Sequence, residues 1–342
     1  MNLKNFDYKL DEQLIAKHPP KLRGSTRLLV LNRKSGEIID SKYAQLYEHL
    51  EANDLLVLNN TKVFKARLNS ITSEGKNLEI LILEQHENNL DKHAFKVMYR
   101  GKLKPNQILK VGNYQLKVRK INDDGTALLS STTDITKLTN DYGTVPLPPY
   151  LKREADQKDV LRYQTVIAKE PGSVAAPTAS LNITNSLLHK LDDKNISTAE
   201  LTLHVGLGTF MPIRVDNLEQ HKMHKEYFEI PGETINSINK VKVSGTKVVA
   251  VGTTVTRALE YSADKILSHT DKYISGEADI FIYPGYEFKV VEAMITNFHA
   301  PKSTVLMMSA AFAGWDSLLR AYNHATKEGY KFLSYGDSML IL

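Results

Sequence analysis

Two stretches bring hydroxyls, small residues and a histidine together in a way that suits ligand chemistry. Residues 172–184 read GSVAAPTASLNIT. Gly and Ala let a ligand approach the backbone closely, and Ser173 and Thr178 offer hydroxyl contacts; the same composition also suits a tight structural loop. Residues 201–213 read LTLHVGLGTFMPI, a strand that delivers His204 to a loop carrying Gly206 and Gly208. This G-x-G lacks the third glycine and following helix of a dinucleotide fingerprint, so no NAD site is expected. His204 at a strand end can be an acid or base, or a structural histidine with its hydrogen bonds filled.

Three further clusters follow. In GTTVTRALE (residues 252–260) a strand turns into a helix. Free N–H groups and the helix dipole there favour an anion. Thr253 or Thr254 can cap the helix, and Arg257 can clamp a carboxylate or phosphate in bidentate fashion. Arg257 and Glu260 also share a helix face, so a salt bridge between them is the competing expectation. In TNFHAPKST (residues 296–304), Asn297, His299, Lys302 and Ser303 crowd the start of an apolar helix, as at the edge of an active site. In SYGDS (residues 334–338), Asp337 can cap a turn. His221, His224 and Glu226 are too closely spaced, and lack a matching second cluster, for a metal site to be expected.

The chain of 342 residues is 42% hydrophobic, 24% charged and carries a formal charge of +5. It has no cysteine, which excludes disulfides, a thiolate nucleophile and Cys-ligated metal. The N-terminal residues carry charges and lack a signal-peptide core. The longest apolar stretch, residues 304–315, is too short for a bilayer core of about 30 Å. A soluble, cytoplasmic and monomeric protein is expected, without membrane contact. The basic charge is concentrated: Lys92, Lys96, Arg100, Lys102, Lys104, Lys110, Lys117, Arg119 and Lys120 fall in an interval free of Asp and Glu, interleaved with Phe95, Tyr99 and Tyr114. Such a stretch rewards a phosphate backbone through counterion release, with aromatics available for stacking; it also describes the solvated face of a small barrel. Lys96, Arg100, Lys102 and Lys104 are the candidate nucleic-acid contacts.

The elements that position these residues are legible in outline. RLLVLN (27–32), DLLVLN (54–59) and KVVAV (247–251) read as strands, the second buried on both faces because it does not alternate and the third buried. Residues 43–50 look helical. After Leu68 the texture changes to short alternating strands at 78–83, 95–99, 114–121 and 126–130, with Gly112-Asn113 and Asp124-Gly125 as hairpin turns. Regular short strands suggest a barrel or sandwich. Beyond Pro146, Pro148 and Pro149, strands alternate with helices: a helix over 255–267, strands at 278–283 and 290–295, helices over 302–311 and 316–328, and a last strand at 338–342. The expected fold is α/β with two domains: an α/β body (1–67 and 146–342) carrying an inserted small β-barrel (68–145).

Together the blocks LLVLNNTKVFKARL, GTVPLPPYL, RYQTVIAKEPGSVAAPTA, LTLHVGLGTF, VGTTVTRALE, TNFHAPKST and SYGDSMLIL, in this order, cover nearly the whole chain. They resemble the signature blocks of the S-adenosylmethionine:tRNA ribosyltransferase-isomerase family of queuosine biosynthesis. The resemblance departs at 178–184, where the family pattern T-A-G-L-H-F-T becomes TASLNIT, with Ser180 for Gly and Asn182 for His. It implies that S-adenosylmethionine serves as a ribosyl donor and that no metal or redox cofactor is needed. The acceptor implied is the 7-aminomethyl-7-deazaguanine wobble base of a tRNA, and the product epoxyqueuosine-tRNA, with adenine and methionine released. A base removes a C5′ hydrogen acidified by the sulfonium, adenine leaves, the aminomethyl group attacks, and methionine departs as the epoxide closes. His204 or His299 is then the acid/base, with Glu226 and Asp337 as alternative carboxylates. Ser173, Thr178, Gly206, Gly208, Thr253, Thr254, Arg257, Asn297 and Lys302 are candidate substrate contacts, and Tyr335 a candidate partner for the sulfonium cation. The competing readings are a paralogue with another acceptor, a non-catalytic RNA-binding protein, and a methyltransferase.

Overall fold

The computed structural model describes residues 1–83, 93–206, 213–268 and 272–342. The chain opens with β1 (Arg27–Leu31), β2 (Ile38–Lys42), a 3-10 turn at Tyr43–His49 and β3 (Leu55–Asn59). β4 (Thr61–Val63) leads into β5 (Arg67–Thr72), β6 (Asn77–Ile82), β7 (Ala94–Arg100), β8 (Ile108–Val111), β9 (Tyr114–Ile121) and β10 (Thr126–Ser131). Then come α1 (Ile135–Tyr142), α2 (Gln157–Arg162), β11 (Glu170–Ser173), α3 (Asn185–Asp193), β12 (Ser197–Leu203) and β13 (Glu226–Pro231). The last part holds α4 (Gly232–Ser244), β14 (Val248–Val251), α5 (Thr253–Tyr261), α6 (Ala263–Leu267) and β15 (Tyr273–Ala278). It closes with β16 (Ala293–Asn297), α7 (Thr304–Ala313), α8 (Trp315–Lys327) and β17 (Ser338–Ile341).

Among the described residues, nine strands form one mixed sheet in the order β15-β13-β12-β3-β14-β16-β17-β1-β2. Its centre, β12-β3-β14-β16, is parallel. The period of two along each strand divides the apolar runs between two cores. Leu55, Val57, Val248, Ala250 and Met294 pack with α4, α5, α7 and α8 on one face. Leu56, Leu58, Val249, Val251 and Ile295 pack with Tyr43, Leu46, Leu187 and Leu191 on the other. This is why the central strands read as continuous apolar runs.

Six antiparallel strands close into a barrel in the order β10-β7-β6-β5-β8-β9. Its interior is filled by alternate residues, among them Leu68, Ile80, Phe95, Val97, Leu116, Val118 and Leu129, and Ile135 and Leu138 of α1 join that core. Phe95 is therefore a core residue and offers no stacking face. Val174, from the chain beyond β11, packs in the same cluster.

Two expected strands move. The strand expected at 278–283 instead ends at Ala278, where pairing with Glu226 of β13 stops; Phe281 and Tyr283 lie in a loop, half-buried against the core. The strand expected at 290–295 begins at Ala293, opposite Val249. Its would-be start is held by a carboxylate: the N–H groups of Val290 and Val291 donate to Glu260 Oε1 at 3.0 and 2.9 Å. The helix expected over 255–267 starts at Thr253 and is divided at Ser262 into α5 and α6.

Candidate active site

The parallel strands β3, β14 and β16 end on the same edge of the sheet, where crevices form in open α/β sheets. A cavity of about 400 Å³ lies there. Thr178, Thr253, Thr254, Asn297, His299 and Lys302 all line it, although they come from three separated sequence blocks. Tyr150, Ala176, Pro177, Val205, Ile213 and Ser334 complete much of the wall.

The turn at Gly252 has a local cause. Gly252 sits at φ 102°, a conformation that favours glycine, and its N–H donates to Ile295 O at 2.8 Å across to β16. The helix α5 starts on the next residue, and Gly252 supplies no side-chain cap. Below it, Asn59 ties three elements together. Its Nδ2 donates to Leu203 O at 2.9 Å and to Thr254 Oγ1 at 3.3 Å, and its Oδ1 accepts from the N–H of Thr61 and Leu203.

His299 follows β16 and is fixed on several sides. Its N–H donates to Tyr322 Oη at 2.9 Å, its carbonyl accepts from Tyr8 Oη, and its Nε2 shares a 2.7 Å hydrogen bond with Thr296 Oγ1. Burial pushes its pKa down to about 3, so the ring is neutral at physiological pH. Asn297 is 2% exposed; its Nδ2 donates to Asp337 O at 3.4 Å. Lys302, at φ 57°, stands at the rim and pairs with Asp7 at 2.6 Å.

His204 is placed otherwise. It is buried beyond the end of β12, shares a 2.7 Å hydrogen bond with Thr61 Oγ1 and stacks near Tyr227. The described cavity lining includes its neighbour Val205 and not His204 itself. Ser173 faces inward as well: its Oγ donates to Ala175 O at 2.7 Å and accepts from Val205 N–H at 2.9 Å, which holds the 173–176 loop against residue 205.

Arg257 and Glu226 find each other rather than the expected partners. Both are buried and form an ion pair, while Gly206 N–H donates to Glu226 Oε1 at 3.1 Å. Arg257 thus does not bridge to Glu260, whose carboxylate is spent on Tyr286 and on the N–H groups of residues 289–291. Asp337 accepts from the N–H of Arg27 and Lys331, both at 2.7 Å, and burial raises its pKa. Tyr335 donates to Asp159 Oδ1 at 2.6 Å, inside a cluster with Arg153. Gly208 and Lys92 lie outside the described residues.

Sequence reasoning missed Tyr150 as a wall of the cavity, and with it the pairing of its hydroxyl with Ser334 Oγ. Burial pushes the Tyr150 hydroxyl up to about 12. It is an aromatic at the cavity, the place expected for Tyr335. The proline-stiffened block 145–151 was its one sequence signal. Asn182 and Ser180 are buried in the 3-10 turn Thr178–Asn182, and neither is part of the described cavity lining.

On the barrel, Lys96 and Arg100 of β7 point outward, alternating with Phe95 and Val97. Lys96 pairs with Asp124 at 3.0 Å, and Lys104 lies 3.9 Å from Glu74. Arg100 and Lys102 are exposed and have no ion-pair partner among the described residues.

The family model described as queuosine biosynthesis protein matches residues 3–341. An S-adenosylmethionine:tRNA ribosyltransferase-isomerase from Pelodictyon phaeoclathratiforme is 53% identical over 344 residues, covering 100% of each chain. That of Chlorobaculum parvum is 52% identical over 345 residues, again at 100% of each. A crystal structure of S-adenosylmethionine tRNA ribosyltransferase from Thermotoga maritima is similar, with a TM-score of 0.56 and 34% identity, over 98% of this chain and 99% of that one. No helix among the described residues is long and apolar enough to cross a membrane.

Proposed function

The chain belongs to the queuosine biosynthesis protein family, and from that premise we propose that the cavity at the strand ends binds S-adenosylmethionine and presents its ribosyl carbons to a tRNA base. The activity is that of a transferase and isomerase: the ribosyl moiety of S-adenosylmethionine is transferred to tRNA and rearranged in queuosine biosynthesis. The observation that carries the placement is convergence. Six residues singled out by their chemistry, Thr178, Thr253, Thr254, Asn297, His299 and Lys302, line one cavity of about 400 Å³, within the size range of small-molecule sites.

The acceptor in this reading is 7-aminomethyl-7-deazaguanine at the wobble position, and the released products are adenine and methionine. S-adenosylmethionine is itself the donor, so the chemistry needs no separate metal or redox cofactor. His299 is the titratable group in the cavity proposed to take the proton from C5′; burial holds it neutral and lowers its basicity, so the role rests on its position at the cavity and requires the bound substrate to raise its proton affinity. Tyr150 supplies an aromatic wall for the sulfonium. His204, Ser173 and the Glu226–Arg257 pair act through the backbone they hold. A tRNA substrate places the enzyme in the cytoplasm. Incubation with S-adenosylmethionine and precursor-bearing tRNA should add the ribosyl-derived mass to the tRNA and release adenine and methionine. Recovery of a methylated tRNA, or of unchanged tRNA from folded enzyme, would overturn this reading.

A non-catalytic RNA-binding role would have followed if Asn182 replaced an essential catalytic histidine. Its distance from that role is supported by position: residue 182 is absent from the described cavity lining, and its Nδ2 reaches Gly336 O at 3.5 Å.

The outward basic face of the barrel is the proposed tRNA-backbone contact. Arg100 and Lys102, without acidic partners among the described residues, should contribute more than Lys96 and Lys104. Arg100→Gln with Lys102→Gln is expected to weaken tRNA binding and to flatten log K against log salt by about 0.7–0.9 per lost contact. S-adenosylmethionine binding should hold. An unchanged slope would return these side chains to solvent.

A further inference from the structure

We propose that the methionine end of S-adenosylmethionine is held at the start of α5, with its carboxylate on the first-turn N–H groups of Thr253 and Thr254 and its ammonium on Asn297 Oδ1. This assignment rests on the reading above and specifies the direction in which the substrate lies.

Two helices begin at the cavity, and they differ in what their first turns need. At α7 the cap is filled: Ser303 Oγ accepts from Leu306 N–H at 3.2 Å. At α5 the cap residue is Gly252, which has no side chain to offer. The N–H groups of Thr253 and Thr254 have no partner among the described residues, and both residues line the cavity. Aligned peptide dipoles and open donors make such a terminus a receptor for a carboxylate. Lys302, the cation at the rim, is already matched by Asp7.

The second observation is Asn297. It lines the cavity from β16, is 2% exposed, and its Oδ1 is buried without a hydrogen-bond partner among the described residues. A buried acceptor left unpaired is costly. Nδ2 already has a partner in Asp337 O, whereas Oδ1 has none among the described residues, so the unmet need of this amide is a donor for its oxygen. The outer torsion of an Asn side chain is soft, so a small turn brings Oδ1 onto a ligand donor.

Register brings these two features to one edge of the sheet. Val251 of β14 faces Ile295 of β16, and the next N–H, that of Gly252, donates to Ile295 O; α5 and Asn297 both follow from these paired strand ends and line the same cavity. An anion receptor and a lone acceptor in one cavity match one group well: an α-amino acid, which carries a carboxylate and an ammonium on the same carbon. Adenine offers an amino donor for Asn297 but no anion for α5. The adenosyl half then extends along the more apolar wall of Ala176, Pro177, Val205 and Ile213.

The test is binding of two probes by calorimetry to the intact protein. S-adenosylhomocysteine has the amino-acid end; 5′-methylthioadenosine lacks it. Asn297→Ser should weaken S-adenosylhomocysteine on the order of 10- to 100-fold, as for a lost hydrogen bond to a charged group, and leave methylthioadenosine unchanged. The wild-type protein should also lose a similar factor for the analogue in which the ammonium is replaced by hydrogen, which keeps the result interpretable if the variant folds poorly. Equal weakening of both probes by Asn297→Ser, or of neither, overturns the orientation while leaving the cavity as the binding site. Failure of both probes to bind wild-type protein overturns the cavity assignment and this proposal with it.

Discussion

His299→Ala is expected to lower turnover by about 10²–10⁴-fold, the range for loss of a positioned acid or base, while the protein stays folded. His299 lines the cavity, and its backbone is held by Tyr322 and Tyr8 independently of the imidazole. His204→Ala should show the opposite balance. That ring is buried against Thr61 and Tyr227, so its loss should lower the melting temperature more than it lowers the rate. Normal turnover by His299→Ala would overturn the assignment of the proton transfer to His299. The pH dependence has a defined sign. The folded His299 is held at about 3, below the ordinary value of 6.5. The unfolded chain therefore takes up the proton first as pH falls, and stability present above about 6.5 is lost as pH falls toward 3. His299→Gln should flatten that part of the stability profile. Turnover between pH 7 and 9 should show no ionisation of His299.

Breaking the Glu226–Arg257 pair should have the largest effect on stability. Both side chains are buried, at 1% and 4% exposure. Removing one partner strands a charge in a poor solvent, at a cost of about 3–5 kcal/mol. Glu226→Ala also takes the acceptor from Gly206 N–H, so the loop that follows β12 loses an anchor. Arg257→Met combined with Glu226→Leu should recover much of the loss, because a buried pair is often replaceable by apolar side chains of similar volume. Denaturant unfolding of the two single variants and the double variant measures this. Single-variant losses below about 0.5 kcal/mol would mean that the pair is solvated and that its role lies elsewhere.

Much of this protein was legible in its sequence. The two-sided burial of 54–59 and the buried strand at 247–251 followed from unbroken apolar runs. The barrel followed from alternation and from the turns at Gly112-Asn113 and Asp124-Gly125, since strand period and turn chemistry are local properties. The ordered motif blocks carried the family. The tertiary structure decided which groups met. Arg257 had Glu260 one helical turn away and took Glu226, because β13 brings a carboxylate to that helix from another part of the chain. Glu260 in turn captured the N–H groups of Val290 and Val291 and so moved the start of β16. Between two plausible histidines, the fold put His299 on the cavity and His204 behind it. Tyr150, not Tyr335, became the aromatic wall. In each case the choice depended on contacts between residues far apart in the chain. Spacing along a strand or helix sets which face a side chain occupies; it carries no information about what the rest of the fold will place opposite that face.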